Sequence, residues 1–442
     1  MLKSVFEMIG PVMVGPSSSH TAGMARIGAE SCRYLPAGAE KIRITFSRKM
    51  KKTFRGHRSD CAVIGGALGL SADSAELKDA YRLAEEKGIE TYVGFFEEGE
   101  VPENTARVTF VYADGSERSL TAQSVGGGSI RILQLDGADT RLQPFSEYGE
   151  TVEGAQRITE IKSLLTDPRS FAEIAREYEG RRSGRPTEEI DGRMRQMLAV
   201  MKESVQAGLA GNSLLYGLTS GEDGRKLLDY GGGLCGVQDR AAAYAIAVLE
   251  QNASMGRLVA APTGGSAGII PGVLLAAAEE KQIPEDRLTD ALFTAALFGI
   301  VLEERGVSFS GSVGGCQGEI GVSAALASAA EASLFTENKK TVANAFALTL
   351  KNMLGLVCDP VAGPIEVPCI KRNAMGVAAA MMMCDLALAG AESYIPADEV
   401  MDALKDAEER LPAELKCACI GGLACTETAR RLRKELEERG GV

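Results

Sequence analysis

Cys316, Cys358 and Cys369 each stand in a Gly/Pro-marked segment: Gly314-Gly315-Cys316-Gln317-Gly318-Glu319, Cys358-Asp359-Pro360-Val361-Ala362-Gly363-Pro364 and Val367-Pro368-Cys369. Turns from distant parts of a chain can converge, and three thiolates at one point suit an iron–sulfur cluster or another soft metal. Their spacing matches neither the Cys-x-x-Cys zinc pattern nor a ferredoxin pattern. Free cysteines also serve as small buried hydrophobes, so the residues alone leave both readings open. Cys235, Cys417, Cys419 and Cys425 are further candidate ligands, whereas Cys32, Cys61 and Cys384 sit in helical patterns and read as structural.

The chain holds two histidines, so any imidazole chemistry must use His20 or His57. His20 lies in Gly15-Pro16-Ser17-Ser18-Ser19-His20-Thr21, just before a predicted helix. Its hydroxyls can cap that helix, or join the free amides in a cradle for a carboxylate. His57 lies in Arg55-Gly56-His57-Arg58-Ser59-Asp60, where Asp60 could orient the ring; the plain alternative is a basic surface turn. Ala261-Pro262-Thr263-Gly264-Gly265-Ser266-Ala267-Gly268 opens an apolar helix and is a second candidate carboxylate cradle, or simply a buried cap. Ser124-Val125-Gly126-Gly127-Gly128-Ser129 lacks the Lys-Ser/Thr of a phosphate loop and runs into a strand, which favours a bulge or tight crossing.

The elements that must position these groups fall into two parts. Residues 1–145 read as an α/β domain: Lys41–Phe46, Thr105–Tyr112 and Ser129–Leu135 alternate as half-buried strands, with a hairpin turn at Asp114-Gly115. A helix is predicted over Ser74–Lys87, closed by Gly88. Residues 146–442 read as a larger all-α domain, with several helices apolar nearly all round and hence a buried central helical layer. The fold class is therefore α+β. The length of 442 residues supports both cores, and a net charge of −12 argues against a nucleic-acid surface. No export signal and no run of about 20 apolar residues is visible, so ten cysteines imply reduced thiols in a cytoplasmic protein with no membrane partner.

Taken together, Gly15–Thr21, Ala261–Gly272, Gly314–Gln317, Leu350–Gly363 and Glu366–Gly376 resemble the iron–sulfur-dependent L-serine dehydratases (L-serine ammonia-lyases). The resemblance covers nearly the whole chain. It implies a β-type domain fused ahead of an α-type domain, without an ACT domain, and a homodimer. It further implies a [4Fe–4S] cluster on Cys316, Cys358 and Cys369, with one iron open to act as a Lewis acid on the hydroxyl of L-serine. His57 is then the base, although the residues alone allow the reverse assignment with His20. His20, Ser17, Ser18, Ser19 and Thr21, the turn Thr263, Gly264, Gly265 and Ser266, and Lys371, Arg372 and Asn373 would hold the substrate. The implied products are pyruvate and ammonia, formed through aminoacrylate and an imine without pyridoxal phosphate.

Two departures qualify the resemblance. Some single-chain relatives end in a cysteine that occupies the open iron; this sequence ends Gly440-Gly441-Val442, leaving Cys417, Cys419, Cys425 or water for that place. Arg58-Ser59 also stands where small residues are expected, so Arg58 should alter substrate preference or lower the His57 pKa by charge repulsion. Competing readings are a same-fold lyase for cysteine or threonine, and a non-catalytic amino-acid sensor with a structural zinc site.

Overall fold

The computed structural model describes residues 2–97, 101–231, 233, 236–417 and 419–439. Cys235 lies outside them. The chain begins in the helical half. Ser4 and Glu7 form a capping box around the single turn Val5–Met8, satisfying amides that a short helix cannot pair internally. Val5, Phe6, Met8, Ile9 and Met13 are buried in the core formed by the C-terminal helices.

Val12–Val14 (β1) then carries the backbone across to the α/β half, whose own core begins at Val14. The main sheet contains Lys41–Phe46 (β2), Glu90–Phe95 (β3), Thr105–Val111 (β4), Glu117–Gly126 (β5), Ser129–Leu135 (β6) and Ala138–Asp139 (β7). Their order is β3-β2-β4-β5-β6-β7, with β2 and β3 parallel and the remaining pairs antiparallel. Ile42, Ile44 and Phe46 of β2 face inward while Lys41 and Arg43 do not, as the two-residue period requires.

Asp114-Gly115 forms the β4–β5 turn, and Gly126, Gly127 and Gly128, all with positive φ, form the β5–β6 turn. The glycine run is thus a hairpin, not a phosphate cradle. Helices Gly23–Tyr34 and Ser59–Ala67 pack against this sheet's core and against each other. A Cβ on Gly66 would stand 2.0 Å from the Ala25 carbonyl oxygen, and one on Gly28 2.2 Å from that of Val63. Only glycine permits so close a crossing.

The larger part is helical and built around two nearly all-buried helices, Glu285–Glu304 and Val322–Phe335. The second, rich in Ala and Ser, lets its neighbours approach closely on every side. Arg257–Val259 (β8) pairs antiparallel with β1, matching Val12 to Val259 and Val14 to Arg257. This two-stranded ribbon stitches the halves together. Among the described residues, no helix is long and apolar enough to cross a membrane.

The unanticipated elements include strands Val12–Val14, Glu90–Phe95, Glu117–Gly126 and Arg257–Val259, and helices Asp223–Tyr230 and Ala397–Arg410. Cys369 is the first residue of the helix Cys369–Leu388 and not part of a turn.

Because the helix crossing at Gly66 leaves no room for a side chain, Gly66→Val should destabilise the protein by about 1–3 kcal/mol through overpacking. Urea unfolding followed by far-UV circular dichroism measures this as a lowered midpoint; an unchanged midpoint would show that the crossing can relax.

Candidate functional site

The first wall of the site is the segment after β1. Ser17 caps a wide turn over Ser18–Ala22, its hydroxyl accepting the His20 amide at 3.1 Å. The Thr21 hydroxyl accepts the Ser17 amide at 3.1 Å and donates to the His57 carbonyl at 2.7 Å. One side chain therefore locks both histidine segments together. The two imidazoles stack with ring centroids 4.6 Å apart and planes 18° from parallel.

His57 Nδ1 lies 3.0 Å from the Thr53 carbonyl. A carbonyl only accepts, so Nδ1 carries the proton and Nε2 keeps its lone pair. Burial lowers the His57 pKa to about 4, against a raising contribution from Thr53. Burial, with the neighbouring His57, lowers that of His20 to about 3, although a hydrogen bond to Asn104 opposes the shift. Arg58 has no part in the His57 shift: it adopts φ 52° at the start of helix Ser59–Ala67 and lies among Tyr216 and Cys61.

The opposite wall belongs to the helical half. Cys316 precedes a wide turn over Gln317–Gly321 that enters the buried central helix. Cys358 forms a parallel bridge with Lys416, and Cys369 opens its helix. Ligand atoms of Cys316, Glu319 and Cys358 lie within 4.8 Å of one another. The Cys358 thiol is within hydrogen-bonding reach of Cys316 and Cys417. Those two thiols lead the reasons that its pKa rises well above the ordinary value, with burial adding to them. Burial, then Cys316, Glu319 and Cys417, does the same to Cys369. Such thiols become good ligands when a cation offsets the charge of their anions, and a set of soft sulfur donors suits iron or zinc above hard cations. On this ground the residues present fit a thiolate-bound metal centre.

Gly311 makes this density possible, since a Cβ there would meet Glu319 Oε2 at 2.6 Å and the Cys358 sulfur at 3.1 Å. Glu319 accepts from the Thr263 hydroxyl at 2.9 Å, and burial pushes its pKa up to about 7.

The walls enclose a cavity of about 60 Å³ lined by Ser17, Ser18, Ser19, His20, His57, Thr263, Gly265, Ser310, Ser312, Glu319, Cys358, Cys369 and Cys417. Through His20, His57, Ser312 and Cys417 it adjoins an outer vestibule of about 800 Å³.

The other expected substrate residues do different work. Gly264 and Ser266 lie behind the cavity wall. Ser266 shares its hydroxyl with Thr263 at 3.0 Å, and Gly264 presents its carbonyl to the Asn252 amide at 2.9 Å. Lys371 is exposed and pairs with Asp223 at the surface, away from the cavity. Arg372 donates to the Cys316 sulfur at 3.3 Å, the Val357 carbonyl at 2.8 Å and Asp359 at 2.7 Å, so it supports the thiols instead. Asn373 is buried, donating to the carbonyls of Gly265 at 2.9 Å and Cys369 at 3.0 Å. It thereby ties the Thr263–Ser266 turn to a cysteine. Glu319, Ser310 and Ser312 carried no signal strong enough to single them out; Glu319 alone was foreshadowed, by its place three residues after Cys316.

Matches to known families follow this same division. Residues 4–114 match the serine dehydratase beta chain family and residues 166–424 the serine dehydratase alpha chain family. The chain belongs to the serine dehydratase family. An L-serine dehydratase of Mycobacterium tuberculosis (strain CDC 1551 / Oshkosh) is 30% identical over 96% of this chain and 98% of its own length. One from Helicobacter pylori (strain ATCC 700392 / 26695) is 29% identical over 93% of this chain and 96% of its own. A probable L-serine dehydratase alpha chain of Bacillus subtilis (strain 168) is 44% identical over 63% of this chain and 92% of its own length.

The histidine environment has a measurable consequence in this family member. With both pKa values depressed to about 3 and 4, the two imidazole resonances should hold still in an NMR titration from pH 8 to about 5.5. In the unfolded chain the same rings take up protons near pH 6.5. Their contribution to stability is therefore present above pH 6.5 and is lost as the pH falls toward 4. A resonance that titrates near 6.5 would show that its ring is hydrated.

Proposed function

We propose that the chain is an L-serine dehydratase that converts L-serine to pyruvate and ammonia, with a [4Fe–4S] cluster on Cys316, Cys358 and Cys369. The observation that carries this reading is the meeting, in one cavity, of the chain's two histidines with buried thiols from the other half. When bound, the cluster supplies a Lewis acid that makes the substrate hydroxyl a competent leaving group.

The protein's own residues account for the remainder. Ser17, Ser18 and Ser19 line the cavity and orient the substrate carboxylate there. Thr263, held by Glu319 and Ser266, offers a positioned hydroxyl on the facing wall. His57 Nε2, left with its lone pair by the Thr53 hydrogen bond on Nδ1 and kept unprotonated by burial, removes the α-proton. The β carbon–oxygen bond then breaks, and hydroxide leaves as water after gaining a proton. The resulting 2-aminoacrylate tautomerises to an imine, which water hydrolyses to pyruvate and ammonia. The small buried cavity excludes bulk water while the carbanionic charge develops.

Anaerobic reconstitution with iron and sulfide should give a brown protein that forms pyruvate from L-serine. Cys358→Ala should lose both colour and activity. His57→Ala should keep the visible spectrum while kcat falls on the order of 10²–10⁴-fold, the usual contribution of a general base. Full activity in Cys358→Ala, or zinc without iron and labile sulfide, would refute the reading. A panel including L-cysteine and L-threonine assigns the substrate.

A further inference from the structure

Cys417 lies on a loop far in sequence from the three thiols assigned above, yet its sulfur joins them. It is within hydrogen-bonding reach of the Cys358 thiol and is an electrostatic neighbour of Cys369. The contact is built into the backbone. Cys358 donates its amide to the Leu415 carbonyl at 2.8 Å, and Cys417 donates its own to the Cys358 carbonyl at 2.7 Å. Residues 415–417 therefore run as a short parallel partner to Cys358 and move with it. Cys417 also holds φ 59°, a left-handed conformation that a non-glycine residue adopts only under constraint from its surroundings.

Its location is equally specific. Cys417 lines the inner cavity and also the vestibule. It stands at the junction with His20, His57 and Ser312, on the side from which a small molecule would reach the thiols.

We propose that Cys417 is a fourth thiolate ligand of the metal centre, closing at rest the coordination position that substrate must use. The proposal rests on the reading of the cysteines as a cluster site. It adds that this chain fills the position from an internal loop fastened to one of the other ligands. A fastened thiol stays close after it is displaced, so it can return when product leaves. A four-thiolate centre also offers oxygen and chelators no free position, whereas a three-thiolate centre does.

The test uses full-length protein reconstituted anaerobically, as wild type, Cys417→Ala, Cys417→Ser and Cys358→Ala. Wild-type protein should change its visible and electron paramagnetic resonance spectra on adding L-serine. Cys417→Ala should retain iron and sulfide but show an altered spectrum before substrate is added. It should lose iron to a ferrous chelator at least about tenfold faster, the scale of effect expected when support of a metal site is removed. Cys417→Ser should give a third, distinct substrate-free spectrum, because oxygen replaces sulfur at the metal. A substrate-free spectrum and chelation rate in Cys417→Ala equal to wild type would overturn the proposal and leave the cluster on Cys316, Cys358 and Cys369 standing. Failure of wild type to take up iron would instead overturn the cluster reading itself.

Discussion

One side-chain amide fixes the relation between the two walls of the site. Asn252 Nδ2 donates to the Pro16 carbonyl at 3.0 Å and to the Gly264 carbonyl at 2.9 Å, and Asn252 is fully buried. The first carbonyl begins the histidine segment; the second lies in the turn that faces the thiols. A buried carbonyl left without a donor costs about 1–3 kcal/mol, so separating the walls would leave the Pro16 carbonyl unpaired while Asn252 kept its bond to Gly264. The β1–β8 ribbon holds the same junction from beneath, with the Gly10 amide on the Ala260 carbonyl at 2.8 Å and the Ala260 amide on the Pro11 carbonyl at 3.0 Å. Neither half contains the site, and the stitching is what makes it one object.

Within that frame, burial acts on the two kinds of titratable group in opposite senses. It lowers the imidazole pKa values, so both rings remain neutral. It raises those of Cys369 and Glu319, and adds to the rise that the neighbouring Cys316 and Cys417 thiols impose on Cys358, so these anions lack compensation in a metal-free protein. Arg372 is the fixed cation beside Cys316, and its charge is shared with Asp359. Low dielectric thus favours neutral imidazoles on one wall and disfavours bare anions on the other, and a metal cation would relieve the second while leaving the first alone.

The parts of the fold that were legible in the sequence are those where local pattern and tertiary environment agree. β2 and β6 could be bounded from alternation, because one face of each packs on a helix layer. β5 was not, since ERSLTAQSVG carries few large apolar residues and is placed by its hairpin partners. In the site, His20 and His57 stood out by scarcity, and their segments flanked helices visible in the pattern. The pairing of Cys358 with Lys416 leaves no local trace, so the nearness of Cys417 could not be read from spacing. Lys371, Arg372 and Asn373 show a different limit. Consecutive residues on a helix point about 100° apart, so one motif sends a lysine to solvent, an arginine to the thiols and an asparagine into the cradle turn. Treating the three as one substrate-binding unit ignored the helix beneath them.

The vestibule completes the physical argument. The chain as a whole carries a net charge of −12, yet Arg48, Lys49, Lys51 and Lys416 line this approach against the carboxylates of Glu97 and Glu103. Arg48 pairs with Glu97 at 3.5 Å and Lys49 pairs with Glu103, which leaves the cations in excess among the described lining residues. A locally positive funnel in an acidic protein concentrates small anions at its mouth while the remaining surface repels them. At its inner end the charges give way to hydroxyls and neutral imidazoles, which would orient the carboxylate of the proposed substrate without trapping it. Attraction at long range and polar but uncharged contact at short range together suit a site whose ligand must arrive, react and leave.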